Sequence, residues 1–308
     1  MPEYSIGVDL GGTNLRAAAI STSGEVLARI SGRAELSAGR EAVITDMVNA
    51  IVKLRDQEVG AGHSLVGIGM GVAGFILIEK GIIVGSNNLP AFEGYALRDD
   101  IERRLGTTVV LENDANAAAL GEKWIGAGKG VDDLVLLTLG TGIGGGIISG
   151  GRVLHGHVGM AGEIGHVTVV PDGNPCGCGN RGCLEKHASA TAISGMAKVI
   201  GLGADLTSEQ VYKLAVAGDE KAKRIFEAMG RYLGVALATL VNIFNFPLYL
   251  LSGGPLPAWD FFAPAMLEEA RWRSFTFRHA ETKVEKAILG NEAGLFGAAY
   301  LPLLERKR

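Results

Sequence analysis

Several protein classes are excluded by what the sequence lacks. Three cysteines in 308 residues make no disulfide framework: the number is odd, and nothing at the start resembles a signal peptide. No basic patch stands out and the formal net charge is -4, which argues against nucleic acid as the main partner. The most apolar run, Val235 to Leu251, is interrupted by Asn242, Asn245 and Pro247. It reads as a buried helix followed by a buried strand, and no membrane span is expected. Charged residues make up 20% and hydrophobic ones 47%, the balance of a soluble globular chain rather than a disordered one. The length suffices for two domains of ordinary size. Thiols without a targeting segment point to the cytoplasm.

All of the cysteine is in one place. Cys176, Cys178 and Cys183 lie together, interleaved with Gly177, Gly179 and Gly182, a few positions after Glu163 and His166. Three thiolates and the His166 imidazole suit a tetrahedral Zn²⁺ site of the Cys₃His type. A closed four-ligand site is structural, so the metal would shape the loop from Glu163 to Glu185 rather than do chemistry. Core cysteines would need neither the clustering nor the glycines.

Glycines also follow three apolar strands: Gly11-Gly12-Thr13, Gly140-Thr141-Gly142 and Gly253-Gly254. Such turns bring backbone N–H groups close to an anion. One alone is a plain turn; three together favour a phosphate-bearing ligand. Gly69–Gly74 and Gly140–Gly145 both match G-x-G-x-x-G, but strand-like sequence follows each, whereas a dinucleotide site needs a helix. Gly128-Lys129 is followed by Gly130, so it is no Walker A motif. Asp9 ends a strand beside the first glycine turn, where a carboxylate could hold Mg²⁺ against phosphate oxygens. Asp114 follows Asn113 just before a helix. Its plain reading is an N-cap, unless the chain is a kinase needing a base for a substrate hydroxyl.

Periodicity orders these motifs. Strands are expected at Ser5–Asp9, Leu15–Ile20 and Val26–Ile30, a helix at 41–54, a strand at 65–72, a strand pair within 75–84, a helix at 97–105, a strand at 108–112 and a helix at 115–125. The opening order then recurs: a strand at 134–139, a glycine turn with Thr, a strand containing Ile147 and Ile148, a Gly150-Gly151 turn, and Val153-Leu154. Helices follow at 188–200, 208–217 and 220–244, with Thr207 and Gln210 set for a capping box. A strand at 249–251 and helices at 261–272 and 294–304 end the chain. The repeated order implies two related α/β domains with a cleft between them.

Asp9-Leu-Gly-Gly-Thr-Asn14, Glu112-Asn-Asp-Ala-Asn116, Gly140-Thr-Gly-Ile-Gly-Gly-Gly146, Glu163-Ile-Gly-His166 and the Cys176–Glu185 segment together resemble the ROK family (repressors, open reading frames and kinases), most closely its bacterial-type glucokinases. The resemblance implies an actin/hexokinase-like (ribonuclease H-like) α/β fold. Residues 1–115 with about 294–308 would form a small domain, and 116–293 a larger one carrying the zinc loop 163–185. It further implies ATP-dependent phosphorylation of glucose at its 6-hydroxyl, with Asp114 as general base. Gly74, Asn88, Asn113, Asp114, Glu163, His166 and Glu185 would contact the sugar, His166 also serving the zinc. ATP phosphates would lie against Gly11, Gly12, Thr13, Thr141 and Gly142, adenosine near Gly253 and Gly254, and Mg²⁺ near Asp9. Alternatives remain: another hexose or N-acetylhexosamine (fructose, mannose, N-acetylglucosamine, N-acetylmannosamine), a non-catalytic sugar sensor, or polyphosphate as donor. The family's repressors carry a DNA-binding segment before this core, and here the Asp9 motif begins close to the N-terminus. A homo-oligomer, dimer or tetramer, is expected.

Overall fold

The computed structural model describes residues 1–86 and 88–306. Two compact units divide the chain: residues 1–132, 146–161 and 288–308 form the first, and 133–145 with 162–287 the second. The break expected after residue 115 falls two residues into a helix that lies within the first unit.

The first unit opens with β1 (Glu3–Leu10), β2 (Asn14–Ser21) and β3 (Val26–Arg33), an antiparallel meander. α1 (Arg40–Gly60) follows, longer by about two turns than its apolar spacing suggested, burying Val43, Ile44, Met47, Ile51 and Leu54. β4 (Ser64–Val72), the hairpin of β5 (Phe75–Leu77) and β6 (Ile82–Gly85), α2 (Leu97–Leu105), β7 (Val109–Asn113) and α3 (Asp114–Ile125) complete its leading part. The sheet order is β3-β2-β1-β4-β7, with β1, β4 and β7 parallel.

The same order is built a second time. β8 (Leu134–Leu139), β9 (Ile143–Ser149) and β10 (Arg152–Val153) come first, and the chain passes from one unit to the other within β9. The glycine run Gly144–Gly146, expected as turn, is strand: Gly145 and Gly146 are buried where a side chain would strike backbone. The helix expected at 188–200 starts two residues later, after a separate turn of helix. α4 (Glu185–Ala188) stops at Ser189, whose hydroxyl then caps α5 (Ala190–Val199). α6 (Ser208–Val216) carries both bonds of the Thr207/Gln210 capping box, and α7 (Glu220–Phe244) ends on Asn245 in the left-handed region. β11 (Leu248–Gly253) and α8 (Trp259–Arg273) follow. The edge strand β12 (Lys283–Lys286) went unforeseen, because its charged residues give no apolar alternation. The second sheet reads β10-β9-β8-β11-β12, so each sheet places its first strand at the centre and its meander to one side.

α9 (Ala293–Glu305) returns to the first unit and packs on β1, β4 and α3. Glycine makes that approach possible. A Cβ on Gly69 would collide with the Ala298 carbonyl, one on Gly297 with the Ala117 carbonyl, and one on Gly7 with Leu295. The Ser5 hydroxyl donates to the Ala299 carbonyl at 2.6 Å in the same seam. Glu122 on α3 is fully buried and accepts the backbone N–H groups of Ala127, Ile288 and Leu289. It thereby fastens the returning chain without a cation. Gly69→Ala is expected to lower the free energy of unfolding by about 1–3 kcal/mol, read from the urea midpoint, because helix and strand cannot both keep their places.

Candidate active site

In the first unit Leu10 lies opposite Val72, and Val72 opposite Asn113. The carboxyl ends of β1, β4 and β7 therefore stand side by side, the edge at which open α/β sheets take ligands. Asp9, Gly11, Gly12, Thr13, Gly74, Asn113 and Asp114 all lie on or just after these ends. Gly12 is close to Asn88: a Cβ there would stand 3.2 Å from the Asn88 Cβ. Gly11 N–H donates to the Asn14 carbonyl at 3.0 Å, which closes the first glycine turn.

Asn113, not Asp114, caps α3. Its Oδ1 accepts the N–H groups of Ala115 and Asn116, while its Nδ2 donates to the Gly74 carbonyl at 3.1 Å and to Asp114 Oδ1 at 3.0 Å. Asp114 is the first helical residue and accepts Ala115 N–H on the same Oδ1. With the cap role filled by its neighbour, the Asp114 carboxylate is left for other work. Burial pushes its pKa above the ordinary value, and the bonds from Ala115 and Asn113 oppose that rise. Asp9 sits opposite Arg16 in the strand register, 3.7 Å from its guanidinium. Its pKa is pushed up to about 6 by burial, against Arg16, with Asp114 and Glu292 adding to the rise. Carboxylates crowded this way form an electronegative spot suited to a hard divalent cation.

In the second unit β8 and β11 are parallel, and Leu139 lies opposite Gly253. This brings the glycine segments at 140–142 and 253–254 to one sheet edge. Gly140 N–H donates to the Gly142 carbonyl at 2.9 Å, and the Thr191 hydroxyl holds the Thr141 carbonyl at 2.7 Å. Glu185 begins α4, and its Oε2 accepts Ile143 N–H at 3.2 Å. A Cβ on Gly142 would collide with that carboxylate, so the glycine segment and the acidic residue after the cysteines form one structure. Glu163 precedes the short turn of helix that holds His166, whose Nε2 is 3.9 Å from Glu163 Oε2.

The ligand atoms of His166, Cys176, Cys178 and Cys183 all lie within 4.8 Å of one another. His166 Nδ1 is 3.6 Å from Cys176 Sγ, and Cys178 Sγ is 3.7 Å from Cys183 Sγ. Tetrahedral zinc with ordinary bond lengths sets these edges at about 3.6 Å for N···S and about 3.8 Å for S···S. The donor set and its spacing thus fit the ion. Burial and the neighbouring sulfurs push the Cys183 thiol up to about 12, so a cation is what would make it a thiolate at neutral pH. Two short bridges, Thr168 with Cys183 and Pro175 with Arg181, frame the loop. With Nδ1 turned to the sulfurs, His166 Nε2 points the other way, beside Glu163.

Residues 5–304 match the model of the ROK family. The chain belongs to this family. It is 38% identical to a glucokinase of Halalkalibacterium halodurans, over 97% of this chain and 94% of that one. It is similar to the crystal structure of a ROK hexokinase from Thermus thermophilus, with a TM-score of 0.89, 36% identity and 99% of each chain covered. It is also similar to a ROK family glucokinase from Streptomyces griseus solved with glucose and AMPPNP, with a TM-score of 0.79, 33% identity, and 97% and 98% covered. Like these ROK structures, it has the actin/hexokinase-like fold, which the duplicated sheet order reflects. Among the described residues, no helix is long and apolar enough to cross a membrane.

Sequence reasoning assigned nothing to Glu112 and His155, which pair directly behind Asn113. No spacing joins residues so far apart, and only the folded β7 edge brings them together. Two expectations follow. Burial holds the folded-state pKa of Asp114 above its unfolded value of 3.8, so its ionisation at neutral pH works against the fold. Asp114→Asn should therefore raise the urea midpoint of the ligand-free protein at neutral pH, and the gain should vanish as pH falls below 3.8. Gly182 has a φ of 73°, and a Cβ there would collide with the Val170 carbonyl. Gly182→Ala should accordingly lose most of its bound metal, measured as metal per chain after dialysis.

Proposed function

We infer that this ROK protein is an ATP-dependent glucokinase, transferring the γ-phosphoryl group to the 6-hydroxyl of glucose. The observation that carries the reading is full-length similarity to glucokinases, one of them solved with glucose and AMPPNP. Asp114 supplies what that chemistry needs from the protein: a positioned carboxylate to accept the hydroxyl proton as the bond to phosphorus forms. Its Oδ1 is held by two donors, which orients the carboxylate toward the bound sugar. Asn113, Gly74 and Asn88 line the sugar on the same side. Glu163, His166 and Glu185 read further hydroxyls, two as acceptors and the imidazole through Nε2. Glu185 is anchored through Oε2 on Ile143 N–H, and its Oε1 lies 3.9 Å from Lys186 Nζ.

Gly12 and Thr13 in the first unit, on the turn that Gly11 closes, and Thr141 and Gly142 in the second each offer backbone N–H groups to phosphate oxygens, and Gly253 and Gly254 leave room beside adenosine. Among the described residues, a Cβ on Gly254 would meet no atom within 4 Å outside its chain neighbours. Mg²⁺ when bound supplies charge neutralisation at the phosphates, and Asp9 is the residue that would hold it, directly or through water. Zn²⁺ on His166, Cys176, Cys178 and Cys183 supplies loop rigidity and fixes the His166 tautomer, so that Nε2 meets the sugar. The protein works in the cytoplasm as a homo-oligomer, dimer or tetramer. Exposed Val199, Val216, Trp272 and Phe275 offer apolar surface for such an assembly.

The direct test is ADP release with ATP, Mg²⁺ and a sugar panel of glucose, mannose, fructose, N-acetylglucosamine and N-acetylmannosamine. Strong turnover with glucose alone is expected; a different preferred sugar would overturn the substrate while keeping the kinase. Asp114→Ala should lower kcat by about 10²–10⁴ while sugar binding stays measurable by calorimetry. Chelation of the metal should abolish sugar binding, since His166 and its flanking glutamates lose their frame; unchanged binding by the metal-free protein would refute that role.

A further inference from the structure

A buried carboxylate and an imidazole stand immediately behind Asn113, and the chemistry above gives them no role. Glu112, next to last in β7, is 2% exposed. Its Oε1 accepts the backbone N–H of Asn113 at 2.9 Å and the side-chain amide of Asn116 at 3.0 Å. Its Oε2 faces His155 Nε2 at 2.6 Å. Asn116 is itself buried, in the first turn of α3. Glu112 thus grips this turn twice, once through the backbone of its capping residue and once through a side chain.

The contacts form one chain. His155 holds Glu112, Glu112 holds the Asn113 backbone, and Asn113 holds Asp114 Oδ1 through Nδ2. A carboxylate out of water is costly unless paired, and an apolar pair of the same volume would pack there without that cost. What an apolar pair could not do is accept two hydrogen bonds at once from the first turn of α3. An unpaired Glu112 would shift, and the Asn113 backbone would move with it. His155 comes from the segment after β10, so a residue outside β7 and α3 sets their junction. Other charged groups near the pair are Glu79, Arg98, Arg152 and Glu305, which line the same cavity of about 680 Å³.

We propose that Glu112 and His155 are a positioning pair that fixes the Asn113–Asp114 dipeptide for proton abstraction from the sugar hydroxyl. The proposal rests on the reading of Asp114 as the base. Neither residue touches substrate; both act through Asn113.

The test compares His155→Ala, His155→Gln and Glu112→Gln with Asp114→Ala in steady-state kinetics across pH, with urea midpoints alongside. His155→Ala should lower kcat about 10–100-fold, the scale of a misplaced catalytic group, and leave the KM for ATP unchanged. It should also move the acid limb of the kcat/KM profile to higher pH. The Asn113 amide would no longer be held on Asp114 Oδ1, and losing a donor to the charged form raises a carboxylate's pKa. His155→Gln, whose amide can donate to Glu112, should recover most of the loss. Should His155→Ala fail to fold, Glu112→Gln keeps the shape and the Oε1 acceptor; it should show the same shifted limb in weaker form. A wild-type pH profile and kcat in these variants, with or without a lower urea midpoint, would overturn the proposal. Near-normal turnover in Asp114→Ala would instead overturn the base assignment, whereas an inactive Asp114→Ala beside a normal His155→Ala would sink the pair alone.

Discussion

The side-chain amide of Asn113 uses all four of its hydrogen-bonding positions, and the edge of the first unit where β4 and β7 end depends on it. Two acceptor bonds start α3, one donor bond holds the turn at Gly74, and the other fixes Asp114. Turning the amide over would break all four, so its orientation has no alternative. A single residue thereby links the ends of β4 and β7 to the helix that follows. The same capping that makes α3 a helix also relieves Asp114 of that duty, which leaves its carboxylate desolvated and available.

Around this point glycine and buried acid do complementary jobs. Glycine at positions 7 and 69 lets α9 approach the sheet, and Gly297 lets it approach α3, so closely that the C-terminal segment becomes part of the first unit. Glu122 receives the returning backbone and Glu112 secures the start of the same helix, so both ends of α3 are held by buried carboxylates. The second unit has its own apolar core, and the loop from Glu163 to Glu185 lies outside it as a candidate metal site. The loop's few apolar residues cannot fix its shape, and four converging ligand atoms can. Gly142 must lack a side chain because the Glu185 carboxylate occupies that space.

Much of this was legible in the residues. The capping box at Thr207 and Gln210, the helix from Glu220 to Phe244 and the strand from Leu134 to Leu139 appear as periodicity and local chemistry predict, because each is set by neighbours in sequence. The cysteine cluster was legible for the same reason: its ligands lie within one short segment. Less was readable where the deciding contact is distant. The glycines at 144–146 look like a turn, yet they form a strand because other backbone lies against them. β12 is charged, and only its neighbour β11 makes it a strand. Whether Asp114 caps a helix or serves as a base could not be read from Asn113-Asp114, since either residue is a good cap.

The sequence by itself determined the family, the repeated strand–glycine–strand order and the donor set of the metal loop, because these are properties of residue type and short spacing. Tertiary structure alone decided that Asn113 is the cap, that Glu112 and His155 stand behind it, and that glycines far apart form one seat for α9. Those facts depend on which strand ends lie side by side and how closely two backbones pass, and no local pattern carries that information.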